Sequence, residues 1–296
     1  SSVALDKFNM KSTGGKTSLH ADVIFQNTAA SIDVFHTAPD TAAVFAVTIK
    51  EELDFATLIP GNALSGATLK KPAMLFVPDG QKLLPTDPSI PVGLRDNIET
   101  VQNLMELAPN TPITNGITIL AQVDISSNTT LTDLGVPKDK ALPLLGTISR
   151  DMFKEGASAA NKMAGTALRL KLPDLKIPAL PDGTTISNAV LNISEAATGA
   201  TALTIRANAS AENLFSFEGL SVTSVDLAAT YSNAAWAFGL KGGAQLNATP
   251  LTYAMALGGE TGQKGDYAVG FEAKTPGTLT VATLMGPDVS LSLIHI

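Results

Sequence analysis

The sequence predicts a mainly β protein. We expect antiparallel sheets built from diverged repeats, as a sandwich or an elongated meander, with one amphipathic helix near residues 92–107. Three observations predict this. Apolar and polar residues alternate with a period of two through much of the second half, as strands with one buried face require. Gly- and Pro-rich breaks punctuate the alternation at short intervals. Of the 296 residues, 45% are hydrophobic and only 16% charged, which is enough to bury a sizeable core and unlike a disordered chain.

An internal repeat organises the elements. Residues 45–49 followed by 53–61 match 267–271 followed by 279–287, if 274–277 is an inserted turn. A looser third copy is 120–125 followed by 131–137. Each reads as a strand, a polar link and a leucine-centred segment stopped by Gly or Pro, so 46–58, 121–134 and 268–284 are expected to share one geometry. A second element repeats at 69–80 and 175–183, where a proline-interrupted apolar run reaches a Pro-Asp-Gly turn.

Between these copies the period changes. Leu94, Ile98, Val101, Leu104 and Met105 recur at helical spacing, the proline-rich stretch 81–91 leads in, and Pro109 closes the helix. A weaker helix is expected over 150–163. From 185 to 290 the pattern is a meander, with strands at 186–194, 202–209, 221–231, 235–246, 252–257, 268–273 and 278–283. Gly-Gly at 242–243 and 258–259, and residues 262–266, are expected to turn the chain. The organisation is then a first β unit at 1–84, a connector and helix at 85–109, and a second β unit at 110–290.

Composition narrows the function. A net charge of −7 argues against nucleic acid, whose phosphates call for clustered Lys and Arg. No apolar run approaches the roughly 20 residues that span a bilayer as a helix. The absence of cysteine removes disulfides, thiolate metal sites and cysteine nucleophiles. Sequons at Asn128, Asn192, Asn208 and Asn247 lean towards an extracellular or cell-surface location.

Few motifs carry chemistry. Gly14-Gly15-Lys16-Thr17 looks like the end of a phosphate-binding loop, but Met10 stands where that motif needs its first glycine. His20 with Asp22, and His36 with Asp33 and Asp40, offer metal-ligand types without ligand spacing, so surface or capping roles are expected. Glu51, Glu52 and Asp54 could serve a carboxylate hydrolase, yet no equivalent set recurs in the other copies. We expect no catalytic, cofactor or metal site. The aromatic group Tyr231, Trp236, Phe238 and Tyr253 is the candidate ligand contact, with cross-strand packing the favoured account.

The runs GITILAQVD (116–124), LPLLGTIS (142–149), LKLPDL (170–175) and SVDLAATY (224–231) resemble those of long β-repeat proteins of unknown function found in bacteria and fungi. The resemblance covers most of residues 40–290 and transfers no catalytic residue. Similar patterning occurs in elongated lipid-transfer proteins, whose β grooves present an apolar inner face. The function expected first is therefore a non-enzymatic structural or binding module, with flanking repeats of the same chain or another protein as partners. A lipid- or apolar-ligand-binding groove comes second and a carboxylate hydrolase third. Because small side chains let sheets fill their own core, no large open apolar cavity is expected.

The terminal hexapeptide Leu291-Ser292-Leu293-Ile294-His295-Ile296 is compatible with the frame CTG TCT CTT ATA CAC ATC, a transposase end sequence used in preparing DNA for sequencing. We read it as a translated adapter and exclude it from fold reasoning, with the natural chain cut near Ser290 and, since residue 1 is Ser, the amino end missing too. Sequencing the source locus should show the natural frame diverging after about Ser290. Genomic DNA that encodes the hexapeptide overturns this expectation.

Overall fold

The computed structural model describes residues 3–13, 16–25, 28–58, 64–149, 164–176, 184–195, 201–211, 219–232, 235–247, 249–257 and 267–273. The second helix expected at 150–163, the Pro-Asp-Gly at 181–183, the turns at 258–259 and 262–266, the strand at 278–283 and the terminal hexapeptide lie outside these residues.

The described strands form one antiparallel sheet. Strands β1 (Val3–Thr13), β2 (Lys16–Phe25), β3 (Thr28–Phe35) and β4 (Val44–Ile49) pair in chain order. A two-residue strand β5 (Leu53–Asp54) and a helical turn α1 (Phe55–Leu58) lead to the long β6 (Thr68–Leu83), which pairs with both β4 and β5. Helix α2 (Val92–Leu104) separates β6 from β7 (Ile113–Asp124), yet these two strands are direct neighbours. The sheet therefore runs unbroken past the 85–109 connector. After a second helical turn α3 (Thr129–Asp133) come β8 (Leu142–Thr147), β9 (Ala167–Lys171), β10 (Thr184–Glu195) and β11 (Thr201–Ala211). The described part ends with β12 (Leu220–Val222), β13 (Val225–Ser232), β14 (Ala235–Leu246), β15 (Thr249–Leu257) and β16 (Tyr267–Ala273). Of the two expected arrangements the chain adopts the meander: apart from β5 and β12, every strand pairs with its predecessor along the path.

One face of this sheet carries an apolar row from β1 to β14. Phe8, Ala21, Ile32, Val47, Met74, Ile119, Gly146, Leu168, Ile193, Leu203, Tyr231 and Trp236 stand opposite one another in succession across twelve strands. Directly opposed residues share a face, so the row forms a continuous apolar strip. From β7 to β15 this face is largely buried, with Gly146 and Tyr231 only partly covered, and belongs to one core with Leu144, Leu170, Leu191, Ile205, Leu227, Leu240 and Met255. Truncating any of these leucines to alanine costs about 2–5 kcal/mol, because lost transfer energy and a new cavity add. The reverse face of the same strands carries exposed Arg206, Asp226, Lys241 and Gln245.

Helix α2 covers the reverse face at the other end of the sheet. Leu94, Ile98, Val101 and Met105 pack with Phe35, Val44, Ala46, Leu75 and Leu120. Two positions depart from the helical stripe. Leu104 points outwards and is 45% exposed, whereas Gln102 is buried and its amide Nε2 donates to the Thr111 carbonyl at 2.9 Å. A polar side chain sits inside because a loop carbonyl satisfies it there.

The two helical turns explain how the repeat copies close one end of the core. In both 46–58 and 121–134 a strand is followed by a polar link and one helical turn; of the copy at 268–284 only the strand β16 is described. Asp54 Oδ1 accepts the Ala56 N–H at 2.9 Å at the start of α1. Asn128 caps α3 by accepting the Leu131 N–H at 2.8 Å, and its Nδ2 donates to Ser65 O at 2.9 Å, tying the two links together. A Cβ at Gly66 (φ +78°) would fall 2.5 Å from Ser127 O, so only glycine permits this approach. Phe55, Leu64, Leu131 and Leu134 meet beneath.

Three expectations about turns are corrected. Pro78-Asp79-Gly80 does not turn the chain; it is a bulge inside β6, where the register jumps from Val77–Gly116 to Lys82–Thr114. The stretch 221–231 is not one strand but two, both paired with β14 and separated by a one-residue register shift at Thr223 and Ser224. Gly242 and Gly243 lie mid-strand in β14, where the β12–β13 link crosses. A Cβ on Gly242 would sit 1.9 Å from Ser224 O and one on Gly243 2.5 Å from Thr223 Oγ1, so these glycines serve close approach. The sequon at Asn128 is likewise internal, with the residue only 1% exposed.

Two measurements test this end of the core. Asn128→Ala should lower unfolding free energy by about 1–2 kcal/mol in denaturant melts, through loss of the cap. Asp124 is held down to a pKa of about 2, chiefly by the Lys70 ammonium at 2.7 Å and also by the Ser126 N–H. Its carboxylate therefore stabilises the fold above the ordinary aspartate range, and that contribution is lost as pH falls from about 4 towards 2. Asp124→Asn should flatten the pH dependence of thermal stability in that window; an unchanged profile counts against the ion pair.

Candidate functional site

Where β4, β6 and β7 meet, the apolar strip opens into a cleft of about 400 Å³ lined by Ala43, Phe45, Phe76, Val77, Pro78, Gly116 and Ile117. The β6 bulge makes it: three extra residues on β6 spread the β6–β7 ladder, with Gly80 at φ +77° and Gly116 at φ +115° absorbing the bend. Nothing lies within 4 Å of where a Cβ on Gly116 would stand. Phe45 and Phe76 meet edge to face across the cleft, with ring centroids 5.4 Å apart. Turn residues on both strands, Pro78-Asp79-Gly80 and Asn115-Gly116, within otherwise strand-like sequence are the signal that could have located it.

The cleft continues along the strip. Leu19, Ile32 and Val34, then Val47 and Met74, are half-buried on the same face, and Phe8 and Met10 on β1 are 56% and 61% exposed. The strip is thus partly open from β1 to β6, where only Ala21, Val23 and Ala30 are buried among these strands' facing residues on β2 and β3, and largely closed from β7 to β15. At the rim, Asn115 Nδ2 donates to Asp79 Oδ1 at 3.3 Å and Gln81 Nε2 to Ala42 O at 3.1 Å.

The candidate aromatics sit elsewhere, in the closed half. Tyr231 and Trp236 face each other across β13 and β14 with centroids 5.1 Å apart, and Trp236 lies 6.4 Å from Phe238. Trp236, Phe238 and Tyr253 are buried, and Tyr253 lies opposite Gly242 with its hydroxyl donating to Ser224 O at 3.1 Å. Burial, with Asp226 nearby, pushes the Tyr253 phenol up to about 12. These four residues join three strands from within the core.

His20 and Asp33 do meet. On the polar face of β2 and β3, His20 Nδ1 lies 2.7 Å from the buried Asp33 Oδ1 and its Nε2 lies 3.5 Å from Asp22 Oδ1. Lys50 Nζ bonds Asp22 at 2.6 Å and is the main reason its carboxyl sits below the usual range. His36 turns away, with Nδ1 2.7 Å from Thr41 O, and Asp40 is exposed. Among the described residues no three His, Cys, Asp or Glu side chains are grouped to hold a metal. The first-repeat carboxylates do not converge: Asp54 caps α1, Glu51 Oε1 accepts the Ala29 N–H at 3.3 Å, and Glu52 lies near Lys70. Lys16 opens strand β2 opposite Thr13, where a phosphate loop would need a helix, and Gly14 and Gly15 lie outside the described residues.

No helix among the described residues is long and apolar enough to cross a membrane. Compared with protein-family models, curated proteins and solved structures, the chain matches none.

Proposed function

We propose that this chain is a binding module whose open apolar strip, centred on the Phe45–Phe76 cleft, holds an acyl-type apolar ligand. The observation that carries the proposal is the change in burial along one continuous strip. From β7 to β15 most of its residues are buried in one core, while from β2 to β6 Leu19, Ile32, Val34, Val47, Met74 and Phe76 stand half in water beside buried Ala21, Val23 and Ala30. A volume of about 400 Å³ with an apolar lining falls within the range of small-ligand sites. Each methylene withdrawn from water contributes about 0.8 kcal/mol. A second reading, a scaffold that binds nothing small, draws support from the closed half, where the strip fills itself.

Native mass spectrometry with oleate tests the proposal. One oleate should bind per chain, and Ala43→Trp, which fills the cleft from a half-exposed position, should abolish binding while leaving the melting temperature unchanged. Absence of bound oleate, or binding indifferent to Ala43→Trp, sinks the groove and leaves the scaffold.

A further inference from the structure

The cleft has two unlike ends. On one side Phe45 and Phe76 lead to Val47 and Met74, which stand opposite each other, and then to Ile32 opposite Val47. This end is apolar and continues into the strip. On the other side the lining residues Pro78 and Gly116 adjoin Asp79 and Asn115, whose side chains bridge the widened ladder at 3.3 Å. Gln81 lies in the same bulge and reaches Ala42, next to the lining Ala43, donating from Nε2 to its carbonyl at 3.1 Å. That bond fixes the amide, since exchanging its two ends would set Oε1 against the Ala42 carbonyl, acceptor to acceptor. Oε1 is therefore turned away from Ala42. It is enclosed, and no donor among the described residues meets it. A buried acceptor is ordinarily satisfied.

We propose that the bulge end of the cleft seats the head of the acyl ligand, and that the head is an uncharged hydroxyl-bearing group, as in a monoacylglycerol. This rests on the acyl reading of the cleft and adds orientation and head chemistry to it. A head-group O–H donates to Gln81 Oε1, and the tail leaves past Phe45 and Phe76 towards Met74, Val47 and Ile32. An ionised carboxylate fits this end less well. It carries acceptors only, so Gln81 Oε1 gains no hydrogen from it. It also brings a second negative charge to the end that carries Asp79, and like charges repel. Lys82 does not reverse this: it stands beyond the bulge, opposite Thr114, and is exposed, where solvent and salt screen its charge.

The test compares 1-lauroylglycerol with laurate, which share one tail, by calorimetric titration of the full chain at neutral pH. 1-Lauroylglycerol should bind about tenfold more tightly, as one hydrogen bond gained and one repulsion avoided allow. Gln81→Leu should remove that preference by weakening 1-lauroylglycerol while leaving laurate unchanged, and Asp79→Asn should strengthen laurate alone. A merely structural loss at Gln81 would weaken both lipids equally, and that result would overturn the head-group assignment. Equal affinities, or tighter laurate, with both lost in Ala43→Trp, would overturn it too while leaving the acyl site in place. Binding of neither lipid would overturn the acyl reading and the head group together.

Discussion

The structure depends on register. Each strand after the first must present its apolar residues to the same side as its neighbour, because a slip of one residue would turn the whole set into water. That requirement is met at eleven consecutive pairings between β1 and β14, which is what turns short amphipathic segments into one strip. No single strand could bury its face alone, and a pair would be marginal. Stability is therefore shared along the sheet, and the helical turns matter because they seal its edge where β6 and β7 end.

The bulges follow from the same constraint. In β10, Ile186 is buried at an even position, yet Ala189, Leu191 and Ile193 are buried at odd ones. The register shift between Ser187 and Val190, with Asn188 at φ 53°, adds the residue that restores the face. In β6, Leu69 and then Met74 and Phe76 face the apolar side, and the shift between Lys70 and Ala73, with Lys71 at φ 47°, reconciles them. The shift between Leu5 and Lys7 falls where β1 changes phase ahead of Phe8. A phase slip in the alternation is thus a bulge written in the sequence, and bulges increase the local twist of the strand that carries them.

Much of the fold was legible for this reason. The alternation in 185–273 gave the strands, and the three- and four-residue spacing of Leu94, Ile98 and Val101 gave the helix. What was not legible depended on partners distant in sequence. Gly242-Gly243 has the composition of a turn, and only the crossing of Thr223 and Ser224 shows why glycine is needed mid-strand. Gln102 looked solvent-facing until Thr111 supplied its acceptor. Phe45 and Phe76 are 31 positions apart, and nothing local announces that the β6 bulge leaves open space beside them.

The open and closed halves of the strip differ less in composition than in what lies over them. In the closed half, buried Leu and Ile from β7 to β13 share one core with Trp236, Phe238 and Tyr253. In the open half, Ala21, Val23 and Ala30 form a small separate cluster with Leu19, Ile32 and Val47, and the bulky Phe8 and Met10 lie towards water. Helix α2 cannot seal that side, because it is committed to the reverse face by Leu94, Ile98 and Val101. Exposed apolar contacts of this extent add nothing to the stability of the isolated chain and invite association. An occupant of the strip, as proposed above, would withdraw these side chains from water.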